Sequence, residues 1–247
     1  MSNFINNPGV TEPFSSKRAI SRLLFDFSIM LSCIKEHDNN KNILDFACGT
    51  GWVAEFLNRS GFTVYGFDLS PNAIELAKLR VKADQRLDPE KLSFFDCDGH
   101  ALTSMKNNFF SNVVCFDSLH HMKNFDKVIS EISRILIPGG RAIFVEPGAK
   151  HSTSKETIEF MEKYKSQDPT WIERDIIIED INEIGSKNGF EEMKLKPFLD
   201  PSMINYNLKD WLHFRNNKLA QEQLIEQLCS FNYDSRVIFY LDKKTSI

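Results

Sequence analysis

The 247-residue sequence has no C-x-x-C pair: its five cysteines, Cys33, Cys48, Cys97, Cys115 and Cys229, are scattered. That spacing excludes a zinc ribbon or a disulfide frame and predicts reduced thiols in a cytoplasmic protein. Excess positive charge is lacking too. With 30 Lys and Arg against 34 Asp and Glu, a net charge of −4, the chain has none of the basic footprint that holds nucleic acid. No run approaches the ~18 consecutive apolar residues of a membrane span, and the opening stretch MSNFINNPGVTEPFSSKR lacks the apolar centre of a signal peptide, so no membrane partner is expected. Clustered carboxylates are missing, so no metal site is expected, and there are no internal repeats or low-complexity tracts. What is plentiful is phenylalanine, at 21 residues. It supplies core material for one α/β domain with decorations, whose expected partner is a small molecule. The oligomeric state leaves no mark in the sequence.

The chain is organised around Asn42 to Val53, NILDFACGTGWV. Ile43, Leu44 and Phe46 read as a buried strand with Asp45 at its end. Ala47, Cys48, Gly49, Thr50 and Gly51 read as a turn, and Trp52, Val53 and Phe56 as a helix. Glycine in such a turn admits positive φ and lets a ligand lie against the backbone, while the helix start offers free N–H groups. Gly49 to Ala54 satisfies the looser G-x-G-x-x-A form of the dinucleotide fingerprint, and Asp68 follows at about the right distance. Asp45 argues the other way, because a carboxylate there repels a pyrophosphate and holds a ligand that carries an ammonium group.

Upstream, residues 1 to 14 read as a polar arm. From Ser16 onward Ile20, Leu23, Leu24, Phe27, Leu31 and Ile34 recur at helical spacing, with Arg18 and Arg22 on another face. This helix either lies on the sheet edge or caps the cofactor, with one of those arginines on its carboxylate. Phe62 to Asp68 is a second strand closing on an acid, after which Ser70 caps a helix that has Pro71 at its first position. An acid there is placed to accept both hydroxyls of a ribose. A third strand, Leu92 to Phe95, runs into Asp96, Cys97 and Asp98. The unbroken run Ser111 to Phe116 suits a central strand buried on both faces, and it delivers Asp117, Ser118, Leu119, His120 and His121 to the same edge. Asn124 caps a helix with Phe125, Val128, Ile129, Ile132, Ile135 and Leu136 on one stripe, stopping at Pro138-Gly139-Gly140, and Arg141 to Glu146 gives the fifth strand.

Farther on, His151 to Lys165 has helical character. Ile177, Ile181 and Ile184 form a short helix ended by Gly189, with Phe190 as its hydrophobic contact. Glu192 to Phe198 and Arg236 to Leu241 are the expected sixth and seventh strands. Trp211, Phe214, Leu219, Leu224, Ile225 and Leu228 between them are too frequent for a loop. Helices over about 199–232 are therefore expected to overhang the active edge as a lid. The resulting division is an arm and helix at 1–41 and a main domain at 42–247.

The pattern Asp45-x-x-x-Gly49-x-Gly51, followed by CDGHAL (97–102), SLHHM (118–122), EISRILIPGG (131–140) and IFVEPG (143–148), resembles in order and spacing the class I S-adenosylmethionine-dependent methyltransferases. The resemblance covers roughly residues 42 to 148, with Ala47 where the usual first glycine stands. It implies an α/β fold, a doubly wound, mostly parallel seven-stranded Rossmann-like sheet, and S-adenosyl-L-methionine as cofactor. The residues it assigns to the cofactor are Asp45, Ala47, Cys48, Gly49, Gly51, Asp68, Leu69, Asp98, Gly99 and Asp117, with Arg22 from the preceding helix; Asp98 matches the adenine position better than Asp96. Paired histidines after the fourth strand look most like those of sugar and small-molecule O-methyltransferases, where they face the acceptor. That role passes to His120 and His121.

Methyl transfer to an alcohol needs alignment, exclusion of water and a base, and imidazole suits the last near neutral pH. His121 is the expected base and His120 its partner. Glu146 is expected to orient an imidazole or bind an acceptor hydroxyl, and His151 to be solvated. The expected reaction is O-methylation of a small molecule, a sugar or glycan precursor, as in polysaccharide synthesis. The alternatives are a metal-dependent O-methyltransferase using Asp117 with Glu146 or a histidine, an N- or carboxyl-methyltransferase, an NAD(P)-binding oxidoreductase and a non-catalytic cofactor-binding module.

Overall fold

A computed structural model describes residues 10–164, 170–197 and 206–245. In chain order the elements are α1 (Lys17–Cys33), β1 (Asn42–Phe46), α2 (Trp52–Arg59), β2 (Thr63–Asp68), α3 (Pro71–Ala83), β3 (Leu92–Asp96), β4 (Phe110–Phe116), α4 (Phe125–Ile135) and β5 (Leu136–Pro147). They continue with α5 (Lys155–Tyr164), α6 (Ile178–Lys187), β6 (Lys194–Leu195), α7 (Leu208–Asn216), α8 (Lys218–Asp234) and β7 (Arg236–Asp242). The strands form one sheet in the order β3-β2-β1-β4-β5-β7-β6. β1 to β5 run parallel, and β7 enters antiparallel between β5 and β6. This is the doubly wound, Rossmann-like sheet that the strand–acid–helix repeats imply.

Alternation along β1 divides the core. Leu44 and Phe46, with Val113 and Phe144 of neighbouring strands, meet Val128, Ile129 and Ile132 of α4 on one face. Ile43, with Val64, Val114 and Ile143, meets Leu23, Phe27 and Met30 of α1 and Val53 and Leu57 of α2 on the other. Because both faces are covered, β4 is buried at every position, with an apolar run from Val113 to Phe116 behind the buried Ser111 and Asn112. Each fully buried Val, Leu, Ile or Phe side chain of the sheet contributes about 1.5–3 kcal/mol. A parallel sheet covered in this way delivers the carboxyl ends of β1 to β4 to one edge. Among the described residues no helix is long and apolar enough to cross a membrane.

Three expectations are corrected. The helix with the Phe125 stripe ends at Ile135, and β5 begins at Leu136, so Pro138-Gly139-Gly140 lies inside the strand. Leu136 pairs with Phe110, and the register then shifts before Asn112 meets Arg141, which takes up the glycines as an irregularity of the strand. The sixth strand shrinks to Lys194 and Leu195, since only Tyr240 and Phe239 of β7 offer it partners; Phe198 lies outside the described residues. Helical structure after His151 starts only at Lys155.

The expected helices before the last strand are α7 and α8, although 199–205 lie outside the described residues. Their Leu208, Trp211, Leu212, Leu219 and Ile225 are exposed. Asn188 ends α6 and Gly189 follows at φ +84°, with the Phe190 N–H reaching back to the Gly185 carbonyl at 3.0 Å, the stop predicted from the sequence.

Candidate functional site

The turn after β1 bends through left-handed positions at every second residue. Ala47 sits at φ +54°, Gly49 at +53° and Gly51 at +84°. Gly51 is required twice over, because a Cβ there would also stand 2.8 Å from the Phe94 ring. A Cβ on Gly49 would meet nothing within 4 Å, so the loop backbone borders open space. Ala47 takes the same hand without glycine's freedom, at a cost of about 1–2 kcal/mol.

At the end of β2, Asp68 accepts the Gly49 N–H through Oδ2 and the Ser70 N–H through Oδ1, both at 2.8 Å. One carboxylate thereby ties the glycine turn to the start of α3 and keeps a lone pair on each oxygen. Leu69 beside it is 73% exposed. At the end of β3, Asp98 accepts from the backbone and Nδ1 of His100, at 2.9 and 2.8 Å, and stays more than half exposed. Gly99 serves packing, since a Cβ there would come 2.7 Å from the Phe46 ring. Cys48 is buried and Cys97 half-buried, and both are free thiols; burial pushes Cys97 up to about 11.

Asp45 does not face outward as its proposed partnership with an ammonium group suggests. It is 2% exposed and accepts the Ala54 N–H of α2 at 3.0 Å. Burial raises its carboxyl to about 8, against the opposing pull of that N–H.

Asp117, at φ +51° after β4, is gripped by two arginines: Arg22 Nη1 at 3.1 Å and Arg236 Nη1 at 2.6 Å. Arg236, the first residue of β7, also donates from Nε to the buried Asp26 at 2.6 Å. Burial alone would raise Asp117, but Arg236 and Arg22 outweigh it and hold the carboxyl below the ordinary range. The residue expected to neutralise a cofactor carboxylate, Arg22, thus already has a carboxylate partner. The Arg236 Nη2 is buried without an acceptor. Beside this group burial first, then the Asp117 charge, lift Glu12 to about 7.

The second half of the site is a cluster of imidazoles. Leu119–His121 form a 3-10 turn directly after β4. Glu146 on β5, fully buried, accepts the Ser118 and Leu119 N–H groups at 3.0 and 2.8 Å and contacts His120 Nδ1 at 2.7 Å. That contact is the one expected of a carboxylate that orients an imidazole, and Glu146 exposes no surface of its own.

His120 Nε2 lies 3.5 Å from Glu173, which approaches in the unpatterned stretch 170–177. Glu173 also meets His151 Nε2 at 2.7 Å and accepts the Trp171 indole N–H at 2.6 Å. His151 was expected to be solvated; it is instead pinned between Glu173 and the Thr157 hydroxyl at 3.2 Å. His121 Nδ1 lies 2.9 Å from the Ile172 carbonyl, and Trp171 leans on the His121 ring at 4.6 Å. A carbonyl only accepts, so Nδ1 carries the hydrogen and Nε2 the lone pair. Burial and neighbouring His120 lower the His121 basicity. At His120 burial opposes charge, but the Glu146 hydrogen bond and charge outweigh it, so that ring is the more basic of the two.

The glycine turn, Asp68, Asp98 and Asp117 lie at the strand ends from β1 to β4 while Asp45 turns inward; Glu173 and Arg236 enter unannounced, and His151 joins the cluster instead of facing solvent. Contrary to the expectation of no metal-ligating group, His120, His121 and Glu173 bring one ligand atom each within 4.8 Å of one another. Arg236 had a visible signal, a charge opening an otherwise apolar strand; Glu173 had none beyond an acid between Ile172 and Arg174.

Residues 44–144 match a family described as "Methyltransferase domain". The chain is similar to the putative methyltransferase YqeM of Bacillus subtilis (strain 168), with 34% identity over 105 residues, 41% of this chain and 40% of that protein. It is also similar to the ubiquinone biosynthesis O-methyltransferase of Dechloromonas aromatica (strain RCB), with 32% identity over 102 residues, 41% of this chain and 42% of that one. In both cases the match spans less than half the relative's length. Among solved structures, the phosphoethanolamine N-methyltransferase 2 of Haemonchus contortus, in complex with S-adenosyl-L-methionine, superposes with a TM-score of 0.59 at 19% identity, covering 96% of this chain and 60% of that one. The likeness is one of fold.

Proposed function

We propose, from the premise that this chain carries a class I S-adenosylmethionine-dependent methyltransferase domain, that it methylates a hydroxyl of a small molecule and that His121 takes the hydroxyl proton. The observation that carries the reading is the 2.9 Å contact of His121 Nδ1 with the Ile172 carbonyl, an acceptor that fixes the tautomer. The His121 Nδ1–H is spent on that carbonyl, leaving an unprotonated Nε2 on a half-buried ring next to the nucleotide edge. Neutral imidazole in that position accepts a proton near neutral pH, a contribution of about 10²–10⁴ in rate.

The residues present fit the cofactor. Asp68 keeps two lone pairs for a ribose diol, Asp98 keeps an exposed oxygen for an exocyclic amine, and the backbone at Gly49 borders open space. When bound, S-adenosylmethionine supplies an electrophilic methyl group whose transfer discharges its sulfonium. Glu146 holds His120, whose ring lies against His121 with centroids 3.8 Å apart, and Trp171 covers part of the His121 ring. A sugar hydroxyl is the acceptor favoured by the paired imidazoles, and the named O-methyltransferase relative supports oxygen over nitrogen. The free thiols of Cys33, Cys48, Cys97 and Cys115 support a reducing, cytoplasmic setting.

The test is calorimetry with S-adenosylmethionine and with nicotinamide dinucleotides, followed by transfer of labelled methyl to panels of hydroxyl, amine and carboxylate acceptors. Micromolar binding of the sulfonium and label on hydroxyls are expected. Tight dinucleotide binding, or label on amines alone, overturns the reading.

A further inference from the structure

We propose that His120 Nε2, the Glu173 carboxylate and His121 Nδ1 form a binding site for a divalent transition-metal ion of the zinc class. The inference concerns the same edge as the methyl-transfer reading but stands on its own ligand geometry.

The first argument is an electrostatic mismatch. Glu146 lies 2.7 Å from His120 Nδ1, and a carboxylate there keeps the hydrogen on that nitrogen, so in the neutral ring Nε2 carries the lone pair. That lone pair looks across 3.5 Å at Glu173, another acceptor. Two acceptors so placed need a cation between them. A proton on His120 is one solution, with Glu173 also meeting His151 Nε2 and accepting from Trp171. A divalent ion between His120 and Glu173 is the other.

The second argument is spacing. Ligands about 2.0–2.1 Å from a tetrahedral zinc ion stand about 3.3 Å from each other. The separations here are 3.5 Å from His120 Nε2 to Glu173 Oε2 and 3.7 Å from His121 Nδ1 to Glu173 Oε1, so the two imidazoles flank the two oxygens of one carboxylate, and one ligand atom from each residue falls within 4.8 Å of the others, a spread that small side-chain shifts close to tetrahedral edges. The third is the support around them. Glu146 behind His120 is the carboxylate–histidine–metal arrangement that fixes a ligand's tautomer. His151 and Trp171 hold Glu173 from its other sides at 2.7 and 2.6 Å.

Two imidazoles and one carboxylate suit zinc or a similar borderline ion and leave a fourth position open. Access is past His121, whose side chain is 27% exposed. Ion binding takes His121 Nδ1 off the Ile172 carbonyl and moves the ring's hydrogen to Nε2, so an ion-loaded site cannot use His121 as base.

The experiment uses tag-free protein stripped by dialysis against a chelator. Zinc is titrated in competition with a chromophoric chelator, cobalt(II) is added to a second portion, and S-adenosylmethionine calorimetry is run on a third. One zinc per chain with submicromolar affinity is expected, together with intense visible cobalt bands of a four-coordinate site. Glu173→Gln and His120→Asn should each weaken zinc at least 100-fold while leaving cofactor affinity unchanged. No saturable uptake by the parent protein, weak six-coordinate cobalt bands, or uptake indifferent to both substitutions overturns the proposal. The parent's stoichiometry and cobalt spectrum decide even where a variant misfolds. Loss of cofactor binding in the parent, with zinc uptake intact, strikes the methyltransferase reading alone.

Discussion

The nucleotide edge and the imidazole cluster sit on the same sheet but are built in opposite ways. At the edge most positioning is by neighbours close in sequence, Asp68 by Ser70, the glycine turn by α2 and Asp98 by His100, with Asp68 reaching Gly49 across 19 residues and Asp117 the exception, held by Arg22 and Arg236 across 95 and 119. In the cluster, positioning comes from afar. Glu146 reaches His120 across 26 residues, and Ile172 reaches His121 across 51. A binding edge of local parts tolerates change elsewhere in the chain, whereas a cluster of distant parts depends on the whole sheet and on a stretch outside it. Cofactor binding and chemistry should therefore separate under mutation.

The sharpest test of that separation is His121→Ala, which should lower kcat by about 10²–10⁴ with cofactor affinity unchanged. Because burial holds the His121 pKa below its ordinary value, the parent's acid limb should fall below the usual imidazole range, and the variant should lack it. Equal loss of cofactor affinity would merge the two regions. The mirror test is Asp68→Ala. It removes two possible hydrogen bonds from a charged acceptor, each worth ~1.5–3 kcal/mol, so calorimetry should show binding weakened by well over tenfold. Unchanged affinity would take Asp68 out of the edge.

Asp45 probes how the edge tolerates its buried acid. Its folded pKa of about 8 lies above the ~3.9 of an unfolded aspartate, so between those values the native chain holds a proton that the unfolded chain has released. The resulting stabilisation is fully present below pH ~4 and is lost as pH rises through about 8. From pH 5 to 8 the parent should lose ~2–4 kcal/mol from this group, and Asp45→Asn should flatten that slope in urea unfolding. Parallel slopes in both proteins would mean that the carboxylate finds a compensating charge. The smallest effect belongs to Ala47→Gly. Relief at φ +54° should outweigh the added freedom of the unfolded chain by a few tenths to ~1 kcal/mol, read as a small rise in melting temperature. A fall would show that the Ala47 methyl packs well enough to offset its backbone.

What could be read from the sequence follows the same division. The strands β1 to β4, the Ser70 and Asn124 caps and the Gly189 stop depend on residues within a few positions of one another, and the pattern exposes them. The start of β5 was misplaced because Leu136 satisfies a helical stripe and a strand equally, and only its pairing with Phe110 decides. Glu173 was invisible for a deeper reason. Its stretch has no period, and the acid acquires meaning only when the fold lays it beside His120 and His151. The Asp45 carboxylate was legible as a residue and misleading as a contact, since a strand-end acid can turn toward a ligand or toward the start of the next helix.

The late entry of β7 between β5 and β6 has a consequence for synthesis. As the chain leaves the ribosome, Asp26 emerges 210 residues before Arg236, and Asp117 emerges 119 residues before it. Through that interval the two acids have Arg22 but lack the second guanidinium, Arg236, and the long free flank of β5 is open to pairing with a neighbouring chain. Completion of β7 closes the flank and discharges both acids in one event, so a nascent chain stalled before Arg236 should be a client of holding chaperones while one released just beyond Asp242 should not.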